Sequence, residues 1–236
     1  MKNQTAVSPN YTAAIDDYLK AIYFVGREHG DVTTSLLATY LGFTSPSVTS
    51  MVQKLAKLNL VHYTRYQGVS LTEQGHCHAL KVLRHHRLIE LFLVQTLGYS
   101  WEEVHDEAEV LEHVISETFE ARIAAHLGNP TVDPHGDPIP SPDGILPTTP
   151  TRSLIDLTVG AIGEIAQITD QRPEHLCYFA TLGLVPGARV TLLAHAPFDG
   201  PVTIGIDTAT HHLDNRMARA ILIHAAPADV QRAIAA

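Results

Sequence analysis

Residues 44–61 read TSPSVTSMVQKLAKLNLV, and residues 62–75 continue with HYTRYQGVSLTEQG. The first stretch predicts a helix, because Thr44 or Ser45 can cap its start and Pro46 fits the first turn, where a missing N–H costs nothing. The second stretch alternates apolar and polar residues, has a glycine at its tip and ends in a helix start. It therefore predicts a β-hairpin.

Helical spacing of apolar residues predicts two more helices upstream, over residues 11–28 and 34–40. A helix, a tight connection, a second helix that starts with polar residues and then a hairpin is the order of a winged helix-turn-helix. The candidate DNA contacts are Thr44, Ser45, Pro46, Ser47, Thr49, Ser50, Gln53 and Lys54 on the helix, and Arg65 and Tyr66 in the hairpin. Small hydroxyls approach base edges or phosphates, and a cation follows a phosphate backbone. The alternative is a packing module whose polar helix face is only solvated.

Charge is distributed unevenly along the chain. The net charge is −9 over 236 residues, but residues 1–80 carry six Lys/Arg against five Asp/Glu, so the acid is concentrated after residue 80. Repulsion between these acidic residues and the DNA phosphates would keep DNA affinity low until a cation neutralised part of the negative charge. Eleven of the fifteen histidines also lie beyond residue 80. Histidine with Asp or Glu is a ligand set of first-row divalent metals.

The sequence also restricts the compartment. No stretch approaches the ~20 uninterrupted apolar residues of a membrane span, and the N-terminal MKNQTAVSPN has no apolar segment typical of a secretory signal. Cys77 and Cys177 are not in CxxC spacing, which argues against a disulfide framework and fits a reducing compartment. We therefore expect a cytoplasmic protein with no membrane partner.

Beyond the hairpin, the chain predicts two long helices, over residues 73–97 and 101–127. Residues 128–151 hold seven of the fourteen prolines, so they predict a linker or an ordered loop laid over the core. From residue 154 the pattern predicts short strands and one short helix, as in a small barrel-like β-domain. The expected fold is mainly α with a β domain, and the expected domains are 1–74, 75–150 and 151–236.

Potential metal ligands recur in the segment VHDEAEVLEHV, at His105, Glu109, Glu112 and His113. On one continuous helix at 100° per residue they would share a stripe about 100° wide. Upstream, His86 and Glu90 are four residues apart and stack on one helix face, and Asp16 and Asp17 lie on the first helix. Carboxylates with imidazoles suit Mn(II) or Fe(II) and also bind Zn(II) or Co(II), whereas the absence of thiolate disfavours a structural zinc site. An exposed polar helix face without metal is the alternative.

At these residues the chain resembles the diphtheria-toxin-repressor family of metal-dependent regulators, in its manganese-responsive branch. The matching strings, spread over residues 16–140, are DDYLKAIY, SPSVTSMVQKLAKLNLV, LTEQG, HHRLIELFL, VHDEAEVLEHVIS and GNPTVDPHGDPIP. Farther on, LGLVPGARV is similar to part of the SH3-like domain that many members carry. The resemblance implies an N-terminal winged helix-turn-helix, a helical dimerisation domain and a C-terminal SH3-like small β-barrel.

The resemblance also implies two metal sites. The primary site would be Asp17, Glu109, Glu112 and His113; the ancillary site would be His86, Glu90 and His105, with His135, Glu174 and His175 as further candidates. Iron-responsive members carry Met and Cys at the positions of Asp17 and Glu109, so hard carboxylates here favour Mn(II). Fe(II) is the alternative, and Zn(II), Co(II) or Cd(II) are expected to bind in vitro. Lys20 stands where binuclear manganese members have an acid, which argues against a binuclear centre of that type.

The function implied is repression of metal-uptake or metal-homeostasis genes by a metal-loaded homodimer that grips double-stranded operator DNA. A metal joining Asp17 to the other primary ligands would fix the reading head relative to the dimer core. The expected apolar residues of that core are Val110, Leu111, Val114, Ile115 and Phe119, unless they pack within one monomer. We expect no enzymatic activity and no organic cofactor. The competing interpretations are a metalloenzyme, which would need E-x-x-H repeats that the chain lacks, and a winged-helix sensor of a small organic ligand.

Overall fold

The computed structural model describes residues 11–65 and 67–225, and they form two compact units. The N-terminal unit contains the described residues up to His85 together with Glu112–Ile115 and Pro140–Ile145. The C-terminal unit contains His86–Leu111, Ser116–Ile139 and the described residues from Leu146 onward. Among the described residues, no helix has the length and apolarity that a membrane crossing requires. The division into domains 1–74, 75–150 and 151–236 remains our proposal.

The N-terminal unit has the winged helix-turn-helix order that the sequence predicts. Its elements are α1 (Ala13–His29), α2 (Thr34–Leu41), α3 (Ser45–Lys57), β1 (Val61–Thr64), β2 (Gly68–Leu71) and the first part of α4 (Glu73–Phe92). The two strands form an antiparallel hairpin in which Val61 pairs with Leu71 and Thr64 with Gly68. The hairpin is the wing, and α3 is the candidate recognition helix.

Side-chain caps and one glycine set the boundaries of these helices. Thr33 Oγ1 accepts a hydrogen bond from Leu36 N at the start of α2, and Thr44 Oγ1 accepts from Ser47 N at the start of α3. Helix α2 ends at Gly42, whose left-handed backbone (φ 69°) turns the chain sharply. Helix α3 then buries three apolar residues, Val48, Val52 and Leu55. Its polar face is therefore left outward.

The helix predicted over residues 101–127 is in fact two helices, α5 (Val104–Leu111) and α6 (Glu117–His126). Ser116 caps α6, because its Oγ accepts from Phe119 N at 3.2 Å, and acids in the first turn of α6 favour the same start. The stripe of four ligands on one continuous helix is therefore wrong for Glu112 and His113. Both lie in the turn beyond the end of α5.

In the C-terminal unit, α4 continues through a π-helical turn, Leu93–Leu97, and stops at Gly98. A small core joins α4 to α6 and to the proline-rich segment: Leu88, Leu91, Ile123, Ala124 and Ile139. That segment is an ordered loop, one of the two predicted alternatives. The Asp133 carboxylate accepts from the backbone N of His135 and of Asp137 (2.8 and 2.9 Å), which folds the loop around itself.

The remaining chain forms a β-domain of the kind predicted. Its elements are β3 (Thr151–Ser153), β4 (Ile162–Ile168), α7 (Pro173–Thr181), β5 (Arg189–His195), β6 (Val202–Ile206), β7 (Ala209–Leu213), α8 (Asn215–Ala220) and β8 (Ile221–His224). The strands form one antiparallel sheet in the order β3-β8-β4-β5-β6-β7. The sheet stays open, which is compatible with the SH3-like fold. Phe179, Ile165, Val190 and other fully buried side chains fill its core.

Strand β4 is attached to the proline-rich loop within the C-terminal unit. The backbone N of Ile168 donates to the His135 carbonyl at 2.9 Å, and Gln167 Nε2 donates to Asp137 Oδ1 at 2.8 Å. Gly136 lies so close to β4 that a Cβ there would overlap the Ala166 carbonyl oxygen. The loop and the sheet thus share a tight backbone contact that only glycine permits.

Gly136→Ala should therefore destabilise the protein, by about 3 kcal/mol, through overpacking and a left-handed backbone combined. Gly160→Ala is the matched control, because Gly160 has the same φ of 86° but no atom of the described part of the chain lies within 4 Å of the place that its Cβ would take. Denaturant unfolding of both variants measures the difference. Equal losses would show that backbone conformation alone, and not the approach to β4, sets the cost.

Candidate metal centres and nucleic-acid interface

The first centre lies in the N-terminal unit and consists of Asp17, Glu112 and His113. Each offers one ligand atom, and these atoms lie within 4.8 Å of one another. His113 Nε2 is 3.1 Å from Asp17 Oδ1 and 3.6 Å from Glu112 Oε1. Helix α1 supplies Asp17, while the turn between α5 and α6 supplies the other two. The predicted pairing of Asp17 with Glu112 and His113 is thus present in the geometry.

Three contacts hold that turn against the N-terminal unit. Lys20 Nζ donates to Glu112 Oε1 at 2.7 Å, and both side chains are buried. His85 Nδ1 donates to the Glu112 carbonyl at 3.1 Å, and His113 Nδ1 donates to Asp16 Oδ2 at the same distance. Because α1 and α4 both bind the turn, the two ligands from the turn are positioned before any ion arrives.

The Asp16 carboxylate stays ionised beside the centre. Burial alone would raise its pKa, but hydrogen bonds from His78 and His113, together with the charges of both rings, lower the pKa below its usual value. A carboxylate that remains charged is a strong acceptor for both imidazoles.

Lys20 is a cation next to a ligand, and its removal gives a separate prediction. Lys20→Met should lower the stability of the metal-free protein by about 3 kcal/mol, because it leaves Glu112 buried without its ammonium partner. Addition of Mn(II) should then raise the melting temperature more in the variant than in the wild type, since a bound ion would replace the lost positive charge. Differential scanning calorimetry with and without metal tests both effects.

The exposed Lys57 supplies the control for that experiment, as Lys57→Met. It should leave both the metal-free stability and the response to Mn(II) near wild type. A Lys20→Met protein with an unchanged metal-induced shift would contradict the idea that the ammonium and the ion stabilise the same carboxylate.

The second centre lies in the C-terminal unit and is built around Glu90. His86 Nε2 is 3.0 Å and His105 Nδ1 is 3.4 Å from Glu90 Oε1. Two ligand groups meet here: His86 with His105 and Glu109, and Glu90 with Asp133 and His135; the ligand atoms in each group lie within 4.8 Å of one another. The predicted ancillary residues are therefore close together, and His135 joins them.

Burial and charge tune this second centre. Burial alone would raise the pKa of Glu90, but hydrogen bonds from His105 and His86 lower it well below its usual range. Burial and the nearby carboxylates of Asp137 and Glu90 raise the pKa of Asp133 well above its usual value. The charge of Arg87 acts on Asp133 in the opposite direction, and a cation bound among these carboxylates would offset their repulsion in the same way.

His135 carries the clearest sign that the second centre fits a metal. Its Nε2 donates to the Trp101 carbonyl at 2.8 Å, so the neutral ring keeps its lone pair on Nδ1. That Nδ1 is buried, has no hydrogen-bond partner among the residues that the structure describes, and lies 3.8 Å from Glu90 Oε2. An ion bound there would satisfy the nitrogen, and the first centre likewise offers only oxygen and nitrogen donors, as Mn(II) and Fe(II) prefer.

The structure adds contacts to the sequence-based grouping at two residues. Glu109 lies in the C-terminal unit, 3.7 Å from His86 Nδ1 and 3.8 Å from His105 Nε2, and its place in the primary site remains a prediction. Asp133 belongs to the second centre and is not among the predicted ligands, although it opens the Asp-Pro-His segment that contains His135.

Glu174 and His175 are not members of either group among the described residues. Glu174 is exposed, and His175 Nδ1 lies 2.7 Å from Asp170 Oδ2 in an ion pair that Arg172 also joins. The neighbouring stretch 169–173 instead lines a cleft that it shares with His105. Both residues stay predictions, without support from their surroundings.

The candidate DNA contacts on α3 divide into two kinds. Thr44 and Ser47 bond each other through their hydroxyls at 2.9 Å, and Thr49 Oγ1 donates to the Ser45 carbonyl at 2.8 Å, so these hydroxyls already have partners within the helix start. Six other predicted contacts have exposed side chains: Ser45, Pro46, Ser50, Gln53, Lys54 and, in the wing, Arg65. Tyr66 lies outside the described residues.

Three family models match successive parts of the chain. The iron dependent repressor N-terminal DNA binding domain matches residues 10–69, the iron dependent repressor metal binding and dimerisation domain matches residues 72–141, and the FeoA domain matches residues 152–225. Their order follows the winged helix, the helices with the metal centres, and the β-domain.

Individual relatives agree with the family models. The iron-dependent repressor IdeR of Mycobacterium tuberculosis is 35% identical over 187 residues, covering 74% of this chain and 81% of the relative. A solved manganese-dependent transcriptional repressor in complex with manganese is 42% identical, with a TM-score of 0.80, covering 90% of this chain and 100% of that one. ScaR with bound Cd²⁺ is 31% identical, with a TM-score of 0.74, covering 90% and 99%.

A winged helix-turn-helix combined with carboxylate–imidazole centres defines the class of a metal-dependent transcriptional repressor. The chain belongs to the diphtheria-toxin-repressor family, whose members are DNA-binding repressors and not enzymes. The dimerisation domain and the DNA-binding domain identify a second copy of the chain and operator DNA as its partners.

Proposed function

We propose that the protein is a Mn(II)-responsive repressor of metal-uptake or metal-homeostasis genes in the cytoplasm. The observation that carries the proposal is the first centre, where Asp17, Glu112 and His113 offer two carboxylates and one imidazole and no sulfur. Hard oxygen donors suit Mn(II), whereas thiolate and thioether donors select softer ions. The manganese-dependent repressor at 42% identity supports the choice of metal.

Fe(II) is the second candidate, because the IdeR relatives are described as iron-dependent. The same oxygen and nitrogen donors also bind Fe(II). At a site whose geometry favours neither ion, the general order of affinities of divalent first-row metals places Fe(II) above Mn(II). Selectivity for Mn(II) therefore has to come from the number and hardness of the ligands and from the supply of each metal.

The mechanism follows from how the ligands are connected. Asp17 lies on the first helix of the DNA-binding part, and Glu112–His113 lies in a turn that is continuous in sequence with α5 and α6. Bound metal would supply positive charge among these carboxylates. The bound ion would add a further link between α1 and the turn, because Asp17 and the two ligands of the turn would share one cation. Operator DNA and metal each favour this state, so each strengthens the binding of the other.

The dimer would present two α3 helices to a two-fold operator. Several of the apolar side chains predicted for the dimer core are exposed in the single chain: Val110, Val114 and Phe119. A second copy covering them would remove a group of large apolar side chains from water, which is the usual driving force for such an interface. The N-terminal half of α3 would then approach base edges, with Lys54 and Arg65 contacting phosphates.

Operator binding under controlled free-metal concentrations tests the proposal. Fluorescence anisotropy of a labelled operator should rise on titration with Mn(II) in buffered free-metal solutions, and anaerobic Fe(II), Co(II) and Zn(II) are titrated in parallel. Operator binding that needs Fe(II) and ignores Mn(II) would overturn the choice of metal. Operator binding that is independent of every metal after chelation, with no metal retained on dialysis, would favour a sensor of an organic ligand.

A further inference from the structure

Asp16 precedes a proposed metal ligand but its own carboxylate is directed to other partners. Oδ1 is 2.6 Å from His78 Nε2, and Oδ2 is 3.1 Å from His113 Nδ1. Only 10% of the Asp16 side chain is exposed, whereas 42% of the Asp17 side chain is. Both oxygens of this buried carboxylate are thus occupied by imidazole rings, one on α4 and one in the turn that holds the ligands.

The contact with Asp16 decides which nitrogen of His113 is available. A neutral imidazole has one N–H and one lone pair. Because Nδ1 donates to Asp16, the lone pair remains on Nε2, and Nε2 is the atom that lies 3.1 Å from Asp17 and 3.6 Å from Glu112. The ring is therefore held in the tautomer and orientation that a metal at the first centre requires.

His78 in turn fixes the Asp16 carboxylate. Its ring packs edge-on against Tyr11, with 4.8 Å between ring centroids, and Gln74 Nε2 donates to the Tyr11 hydroxyl at 3.2 Å. Since Oδ1 is engaged by His78, the carboxylate is not available to rotate toward the ion as a competing ligand. Asp16 is accordingly kept out of the ligand group that its neighbour Asp17 belongs to.

We propose that Asp16 is a positioning residue for the first metal centre and that His78 is the residue that holds it in place. The inference rests on the proposed function in taking His113 as a metal ligand. Partners that orient a ligating histidine typically contribute 10–100-fold to metal affinity, and a chain His78–Asp16–His113 would couple α4 to the ion without touching it.

Asp16→Asn tests the first link. An amide has one acceptor oxygen and one NH₂ donor, so it cannot accept from one ring on each of its two terminal atoms, as the carboxylate does. Mn(II) affinity, measured by equilibrium electron paramagnetic resonance against a chelator, should fall by about 10–100-fold. His78→Phe should weaken Mn(II) binding in the same direction, whereas His78→Gln keeps an N–H donor and should stay near wild type. His76→Phe is the control, because His76 lies on the same helix but packs on Tyr23.

A second readout needs no metal. In ¹⁵N-edited NMR of the metal-free wild type, His113 should be the Nδ1–H tautomer, and Asp16→Asn should shift the ring toward the other tautomer or a mixture. An Nε2–H ring in the wild type would overturn the proposal even if the variant failed to fold. So would wild-type Mn(II) affinity in folded Asp16→Asn. The proposed function would fail if Asp17→Ala bound as much Mn(II) as the wild type, or if the wild type bound none. The tautomer measurement would still decide the role of Asp16 in either case.

Discussion

Asp17→Ala should abolish Mn(II)-dependent operator binding while the protein remains folded. Asp17 is one of three groups at the first centre. Loss of a residue that only orients a ligand lowers metal affinity by up to about 100-fold, so loss of a ligand itself should lower metal affinity at least that much. Its side chain is 42% exposed, so the substitution removes little packing. Glu112→Ala would be a poorer test, because it also breaks the buried ion pair with Lys20.

The measurement is operator anisotropy titrated with Mn(II), together with thermal unfolding of the metal-free protein. Glu28→Ala is the matched control, since Glu28 is an acid on the same helix whose side chain is 69% exposed. The control should keep the wild-type response. A Mn(II)-dependent shift retained by Asp17→Ala would show that the first centre does not transmit the metal signal to DNA.

The parts of the fold that sequence predicts well are those set by local chemistry. A threonine cap and Pro46 specify the start of α3, and its buried positions follow from helical spacing. The helix break after Leu111 was not predicted, because the apolar spacing continues across the turn. A cap at Ser116 was the available signal, and its hydrogen bond from Phe119 N fixes where α6 begins.

The candidate sites show a similar division. Asp17, Glu112 and His113 lie close together, although the single helix stripe from which they were chosen is absent. They are close because Lys20 and His85 bind the turn that carries Glu112 and His113. Asp133 belongs to the second centre because the proline-rich loop folds back toward Glu90, which is 43 positions away in the sequence. Helical spacing carries no information about such distant pairs.

Glu109 separates two versions of the metal sensor, and replacing it by Cys should reveal which is right. In the structure Glu109 lies with His86 and His105, whereas the resemblance assigns it to the site of Asp17. If Glu109 belongs to the first centre, Asp17→Met together with Glu109→Cys should shift the metal ranking toward Fe(II) by about tenfold or more, because two soft donors replace two hard ones. If it belongs to the second centre, Asp17→Met alone should produce the whole shift.

Operator anisotropy with Mn(II) and with anaerobic Fe(II), on both single variants and the double variant, measures that ranking. Co(II) titration adds a direct readout, since a thiolate bound to Co(II) gives a charge-transfer absorption. In Glu109→Cys, the absorption should disappear on Asp17→Ala if the thiol serves the first centre, and on His105→Ala if it serves the second. An unchanged ranking in all three variants would show that the hardness of these two ligands does not set the choice of metal, and selectivity would then have to reside in the geometry that Lys20, Asp16 and His85 impose on the turn.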